Sequence, residues 1–368
     1  MRQTSGGTPV VHSSELFLED LDDVKRRAEK VWEYDPDLAI SANLTNPTTR
    51  ALEEDISKLE EAEYTIAVQN GQSAISTVLL SFLEAGTNVL LPDNVYGPVR
   101  LFADNQLKVL GIGAIYYNPV DPEDLREKIT TETRLIYLES PGSLTFEVQD
   151  LRVIAEIAKA ASITTVMDNT YATPLYCKPL SFGIDISLSS LSKLMSGHSD
   201  VYGGSLSCLD HGLYKILKNT AVFLGHWLSP DDAERIMRGM KTLPLRLQRQ
   251  HETAVSIIEF LRQRPEVGDI YAPFSQSSPS YSKSWEAYFS GACGLFSFTF
   301  KDDPEEENLN GFFRAFETFR MSYGWGGVNA LIVPGRSSRS LSKMPHNLIR
   351  VYTGLEGSET LIHDLERA

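Results

Sequence analysis

The sequence predicts an α/β fold, in which a mostly parallel sheet covered by helices is followed by a smaller C-terminal α+β domain. Between about residues 46 and 238, short apolar runs alternate with segments of helical periodicity, the pattern of β-α-β units. Beyond about residue 239 the alternation stops, and a long amphipathic helix precedes further apolar runs. We therefore divide the chain into an N-terminal arm (1–45), a larger domain (46–238) and a smaller domain (239–368).

The individual elements follow in chain order. The arm contains the helical pattern LFLEDLDDVKRRAEKVWEY, and the segment GQSAISTVLLSFLEAG (71–86) predicts a helix that ends at its last glycine. The apolar runs of the larger domain, which we interpret as strands, are YTIAV (64–68), NVLLP (88–92), LKVLGIGAIYY (107–117), RLIYLE (134–139), ITTVMD (163–168) and DISLSS (185–190). The smaller domain contributes the helix QRQHETAVSIIEFLRQR and the runs GLFSFTF and NLIRVYTGLE.

Composition narrows the class of protein. The net charge of −15 argues against nucleic acid or an anionic membrane as a partner, because both need a basic surface. The three cysteines lack a CxxC spacing and are odd in number, which is typical of a reducing compartment. Neither a membrane span nor a signal peptide is recognisable, so we expect a cytoplasmic protein.

Two features lie where predicted strands end, which is where open parallel sheets bind their ligands. Gly71 and Gln72 open the helix after the first strand, so their N–H groups either cradle a phosphate or form a plain tight turn. Asp168 directly follows an apolar run, so it is either a buried carboxylate with a cationic partner or a helix-capping or turn residue.

A third feature is the serine-rich stretch SLSSLSKLMSGHSD, in which Ser190 and Ser192 precede Lys193. Taken alone, Lys193 reads as an exposed loop lysine. Taken with a phosphate cradle and with Asp168, it suits pyridoxal phosphate (PLP): the lysine forms the Schiff base and the aspartate pairs with the ring nitrogen.

From TNPTTRALEE to IRVYTGLE the chain resembles the Cys/Met-metabolism family of PLP enzymes, which includes cystathionine β- and γ-lyases, cystathionine γ-synthase and methionine γ-lyase. The most specific stretch is MDNTYATPLYCKPLSFGIDISLSSLSKLMSGHSD, and ESPGSLTFEVQD, SPDDAERIMRGMKTLPLRL and YGWGG are most similar to bacterial cystathionine β-lyases. The resemblance implies the fold-type-I architecture, PLP as cofactor, an amino-acid substrate and a homo-oligomer, with a dimer of dimers expected.

Site residues carry over from the resemblance by position. It implies catalytic roles for Lys193, Tyr96 and Asp168, with Tyr96 stacked on the cofactor ring. It implies phosphate binding by Gly71, Gln72, Ser190 and Ser192. It implies substrate binding by Arg350, which would clamp the α-carboxylate, and by Tyr323, Trp325 and Ser143. No metal site is expected.

Several positions depart from the family pattern. Ser41 and Asn43 stand where the family has a Tyr-x-Arg that reaches the neighbouring subunit's cofactor. Gly324 replaces a serine of the β-lyases, and Asn329 falls where "ESL" is typical, so the resemblance places both on the substrate side of the pocket. Loss of an arginine–phosphate contact costs about 1.5–3 kcal/mol unless another group replaces it. These changes indicate a β-lyase scaffold adapted to a different amino acid.

Three functions stay open from the sequence. The first is a carbon–sulfur β-lyase acting on cystathionine or a relative. The second is γ-elimination or γ-replacement on a non-standard amino acid in specialised metabolism. The third is a non-catalytic PLP-binding homologue, which retention of Lys193, Asp168, Tyr96 and Arg350 disfavours.

Overall fold

The computed structural model describes residues 7–35, 39, 41, 44–302 and 304–368. Its strands are β1 Tyr64–Val68, β2 Asn88–Pro92, β3 Gly113–Tyr117, β4 Thr133–Glu139, β5 Thr164–Asp168, β6 Ile186–Ser189, β7 Gly204–Cys208, β8 Val267–Tyr271, β9 Leu295–Phe300, β10 Arg320–Met321, β11 Leu331–Pro334 and β12 Leu348–Tyr352. Its helices are α1 Leu21–Lys30, α2 Pro47–Glu60, α3 Gly71–Phe82, α4 Gly97–Leu101, α5 Pro122–Glu127, α6 Leu151–Ala161, α7 Thr173–Tyr176, α8 His211–Phe223, α9 Pro230–Met240, α10 Leu243–Arg262, α11 Lys283–Tyr288, α12 Glu306–Ala315 and α13 Ser358–Arg367.

The larger domain is built on a seven-stranded sheet of order β1-β7-β6-β5-β4-β2-β3. The pairs from β3 through β2, β4, β5 and β6 are parallel, whereas β7 is antiparallel to both β6 and β1. The predicted mostly parallel sheet is therefore confirmed. Because the parallel strands β2, β4, β5 and β6 run the same way, their carboxyl ends meet along one edge.

Helices cover both faces of this sheet. In β4, Ile136 and Leu138 pack into the apolar cluster on one face, and Leu135 and Tyr137 pack into the cluster on the other. All four side chains are fully buried. This burial on both faces explains why the strands appear as continuous apolar runs rather than as alternating patterns.

The smaller domain contains a five-stranded sheet of order β10-β11-β12-β9-β8, antiparallel except for the β10–β11 pair. A third apolar cluster lies between this sheet and helices α10 and α13. The α+β prediction for this region is confirmed. The proposed division at residue 238 falls inside α9, two residues before that helix ends, and it remains a proposal.

Two local predictions were wrong. The run at 107–117 is not one strand: a π-helical turn, Phe102–Leu107, extends α4, and the strand begins only at Gly113 after a left-handed Gly111. Helix α3 ends at Phe82 rather than at Gly86, because the chain is already extended at Leu83. Among the helices of the described residues, none has the length and apolar character needed to cross a bilayer.

Candidate active site

A cavity of about 410 Å³ lies at the carboxyl ends of the parallel strands. It has the size and the mixture of apolar and convergent polar groups that small-molecule sites have. The predicted site residues that line it are Gly71, Gln72, Tyr96, Ser143, Asp168, Ser190, Ser192, Lys193, Trp325 and Arg350. Tyr323 is not among the lining residues, and its side chain is exposed.

One end of the cavity is formed by the N-terminus of α3. The Asn70 side chain accepts the Ser73 N–H at 2.8 Å, while no described residue accepts the N–H groups of Gly71 and Gln72. A Cβ on Gly71 would lie 2.9 Å from both Cβ and Oγ of Ser190, so only glycine fits there. Free N–H groups at the start of a twelve-residue helix are suited to hold an anion.

The two serines expected to bind the phosphate differ in whether their hydroxyl groups are free. Ser190 faces Gly71, and its hydroxyl has no partner among the described residues, so it is available to a ligand. The Ser192 hydroxyl already donates to the Gly203 carbonyl at 3.2 Å and accepts the Gly203 N–H at 2.9 Å. Ser192 therefore closes the loop around the lysine and has less capacity for a phosphate.

Lys193 is largely buried and its ammonium lies 5.7 Å from the Trp325 ring centroid. Burial, with a smaller contribution from the Arg350 charge, lowers the pKa of the Lys193 ammonium. The backbone around it is held from two sides. Arg246 donates to the carbonyls of Leu194, Met195 and Gly239, and Gly326 packs directly against the Lys193 backbone.

Two buried carboxylates lie side by side at the strand ends. Glu139 of β4 and Asp168 of β5 are register partners, and each is 9% exposed. Asp168 accepts the Thr170 N–H at 2.9 Å and the Tyr137 hydroxyl at 3.3 Å. Burial raises the pKa of Asp168, and burial together with the Asp168 charge raises the pKa of Glu139 to about 8.

Glu139 is a site residue that the sequence reasoning missed. Its Oε2 accepts the Tyr96 N–H at 2.6 Å, and its Oε1 accepts the Ser143 hydroxyl at 2.8 Å. It therefore connects the residue expected to stack on the cofactor with one expected to contact substrate. The signal was available, since Glu139 ends an apolar run in the same way as Asp168 does.

Arg350 enters the cavity from β12 of the smaller domain. Its Nη2 donates to the carbonyls of Ser322, Tyr323 and Gly324, the shortest contact being 2.8 Å to Tyr323. Burial lowers the pKa of Arg350 to about 10, so it stays charged at neutral pH. Nη1 and Nε have no partner among the described residues, so the guanidinium keeps N–H donors for a carboxylate ligand.

The departures from the family pattern lie at different places. Gly324 contacts Arg350 only through its carbonyl, and Asn329 is exposed outside the cavity lining. Asn329 was expected on the substrate side of the pocket, so that expectation finds no support. Ser41 is partly buried away from the lining, and Asn43 lies outside the described residues.

The arrangement fits PLP. A helix N-terminus with two free N–H groups and an unpartnered serine hydroxyl suits the phosphate, and a buried carboxylate suits the protonated ring nitrogen. Lys193 supplies an amine in the same cavity. Within the described residues no group of three or more His, Cys, Asp or Glu side chains could hold a metal ion.

Comparison with known proteins places this site in a family. Residues 2–368 match the model of the family described as "Cys/Met metabolism PLP-dependent enzyme". A putative cystathionine beta-lyase of Rhizobium johnstonii is 36% identical over 98% of this chain and 90% of its own length. An L-alanine/L-glutamate racemase of Wolbachia pipientis is 32% identical over 98% and 91%.

A crystal structure of cystathionine gamma-lyase from Lactobacillus plantarum complexed with L-serine superposes with a TM-score of 0.88 at 28% identity. The likeness covers 98% of this chain and 92% of the other and confirms the fold-type-I architecture. The chain therefore belongs to the Cys/Met-metabolism family of PLP-dependent enzymes, which confirms both the resemblance and the cofactor predicted from its sequence.

Proposed function

We propose that this protein is a PLP-dependent lyase that eliminates a side-chain leaving group from an amino acid, with carbon–sulfur β-elimination as the leading reaction. The observation that carries the proposal is the meeting of Lys193, Asp168 and Arg350 in one cavity. These groups come from both domains and supply a proton acceptor, a partner for a cationic ring and a carboxylate clamp. The relatives named as lyases support the same reaction class.

Each group has a defined task. Arg350, whose Nη2 is held by backbone carbonyls, binds the substrate carboxylate through its charge and its remaining N–H donors. Lys193, whose lowered pKa increases the neutral fraction of its amine, takes the proton from the substrate Cα. PLP, when bound, supplies the electron sink that makes this proton removable. Trp325 lines the cavity beside the Lys193 amine.

The experiment that tests the proposal is a product assay. The purified holoenzyme is incubated with amino acids carrying β- or γ-leaving groups, and the keto acids are identified by mass. Pyruvate from cystathionine supports β-elimination, and a keto acid of four or more carbons indicates the alternative, γ-chemistry. Absence of any keto acid or replacement product, with PLP bound, would contradict a lyase and leave a racemase or a non-catalytic homologue.

Racemisation of a small amino acid is a second candidate, favoured by the match to the Wolbachia racemase over nearly the whole chain. It needs a second proton donor besides Lys193. Tyr96 lies in the same cavity, and partial burial with the nearby Glu139 and Asp168 carboxylates raises the pKa of its phenol, which stays protonated. L-Alanine in D₂O distinguishes the two: a racemase gives D-alanine with deuterium at Cα, whereas a lyase finds no leaving group on this substrate and gives no D-alanine.

The assembly is proposed to be a homo-oligomer of at least two subunits. An exposed aromatic group in the arm and α8 supports it: Trp32 stacks on Phe223 at 5.7 Å, and both rings are more than half exposed. Sedimentation should give a dimer or tetramer, and a fully active monomer would contradict it. The cytoplasmic location and the absence of nucleic-acid and membrane partners stay predictions.

A further inference from the structure

The segment between β11 and β12, residues 335–347, crosses from the smaller domain to the larger one. Asp93, buried just beyond β2, accepts the backbone N–H groups of residues 340–342 at 2.6, 3.0 and 3.0 Å. Arg100 pairs with Asp93 at 2.8 Å and donates to the Ser340 hydroxyl at 2.8 Å. Burial opposes the charge of Asp93, yet these donors lower its pKa. The segment is thus anchored beside the active site.

Arg339 extends from this anchored segment into the larger domain. Its side chain is 6% exposed, and its Nη1 pairs with the Glu147 carboxylate at 3.0 Å while its Nη2 donates to the Thr145 hydroxyl. Glu147 also accepts from Asn94 at 3.0 Å and from Thr145 at 2.6 Å. A buried arginine of one domain therefore holds two neighbouring residues in a loop of the other.

That loop, residues 141–147, forms one wall of the cavity. Leu144 and Phe146 both line the cavity and have left-handed backbones, with φ of +70° and +57°. Bulky residues adopt this conformation only when their surroundings hold them there. The two residues that Arg339 binds, Thr145 and Glu147, alternate with the two strained ones.

We propose that Arg339 is a positioning residue for substrate binding, which fixes loop 141–147 from the smaller domain in the shape that receives the amino acid. The proposal rests on the proposed function, because the ligand of this wall is the amino-acid substrate. The phosphate cradle lies on α3, and Lys193 lies on the loop after β6, so neither depends on Arg339. Substrate binding and cofactor binding should therefore respond differently to its removal.

The test compares Arg339→Met with Arg336→Met in the holoenzyme. Arg336 is an exposed arginine of the same segment, for which the structure gives no contact with the loop. Hydrogen exchange in peptides covering residues 140–149 measures the loop directly, through N–H groups such as those of Gly142 and Ser143, which bond to the Glu147 and Asn94 carbonyls. PLP affinity, kcat and KM are measured on the same samples.

In R339M we expect loop exchange about tenfold faster. We also expect KM to rise about tenfold to a hundredfold, since small displacements of positioning groups have effects of that size. PLP affinity should stay within about twofold, and R336M should match the wild type in every measurement. Glu147→Gln should raise KM in the same way, and the double variant should not exceed the larger single effect.

Unchanged loop exchange in R339M overturns the proposal, whatever the substrate. A parallel fall in PLP affinity, thermal stability and substrate affinity also overturns it, because that is the signature of a merely structural residue. If R339M does not fold, Arg339→Lys, which keeps the charge but loses the double contact, should show a smaller loosening of the same peptides. Failure of the wild type to act on any amino acid would refute the proposed function, and the exchange comparison would still decide the role of Arg339.

Discussion

Replacing Gly326 by alanine should damage the active site without touching a polar group. A Cβ at this position would lie 2.7 Å from both Cα and the carbonyl carbon of Lys193 and 2.8 Å from the Leu194 nitrogen. The residue also has a φ of +94°. Overpacking of this kind costs about 1–3 kcal/mol, and the left-handed backbone adds about 1–2 kcal/mol for a residue with a Cβ.

We therefore expect G326A to lower the free energy of unfolding by about 2–5 kcal/mol. Because the obstruction is the Lys193 backbone itself, the lysine must move, and PLP affinity should weaken about tenfold or more. Denaturant unfolding measures the first effect, and titration of the apoenzyme with PLP, followed by absorbance, measures the second.

Two other glycines serve as controls. Gly86 has a φ of +88° and Gly311 lies in α12, and neither has an atom within 4 Å of an added Cβ. G86A should cost only the backbone strain, and G311A should stabilise slightly, by about 0.5–1 kcal/mol. If G326A were no worse than G86A and bound PLP like the wild type, the close packing of the two loops would be refuted.

Three further substitutions test the buried charges. Burial raises the pKa of Glu60 to about 7 from its ordinary 4.5. Between these two pH values the folded protein holds a proton that the unfolded chain has released, so the free energy of unfolding falls as the pH rises from about 4.5 to 7. Glu60→Gln keeps the contact with Ser187 and should remove this fall, so that its free energy of unfolding gains about 3 kcal/mol relative to wild type between pH 5 and 8. Parallel curves of unfolding free energy against pH for the two proteins would contradict this. In wild type, KM should rise above about pH 8 as Glu139 becomes charged beside Asp168, whereas Glu139→Gln should show a flat profile, measured by initial rates. Arg350→Lys keeps the charge but loses the planar fork, so KM should rise about tenfold or more with little change in PLP affinity, and an unchanged KM would exclude the clamp role.

The elements buried on both faces were the most predictable from sequence. The runs at 64–68 and 88–92 match β1 and β2 to the residue, because short apolar runs without alternation are typical of strands buried on both faces of a parallel sheet. Strand β7 was missed, since GSLSC is short and mostly small polar residues. The run at 107–117 was misread because the π-helical turn before Gly113 has no periodicity of its own.

The site residues also differ in how far the sequence could predict them. Lys193 and Asp168 follow apolar runs and carry a specific motif, so the sequence alone placed them together. Glu139 was missed although it ends an apolar run as Asp168 does. Arg339 could not be assigned from the sequence, because its role depends on a contact between the two domains. Arg339 and Glu147 are 192 residues apart in the chain, and nothing local to either one indicates the pair.

Lys193 as the cofactor anchor is the central claim, and one measurement tests it most directly. The PLP-loaded protein is reduced with borohydride, digested and analysed by peptide mass spectrometry. We expect the mass of one reduced cofactor on the peptide that contains Lys193 and on no other. A label on a different lysine, or no label on a protein that binds PLP, would contradict the account.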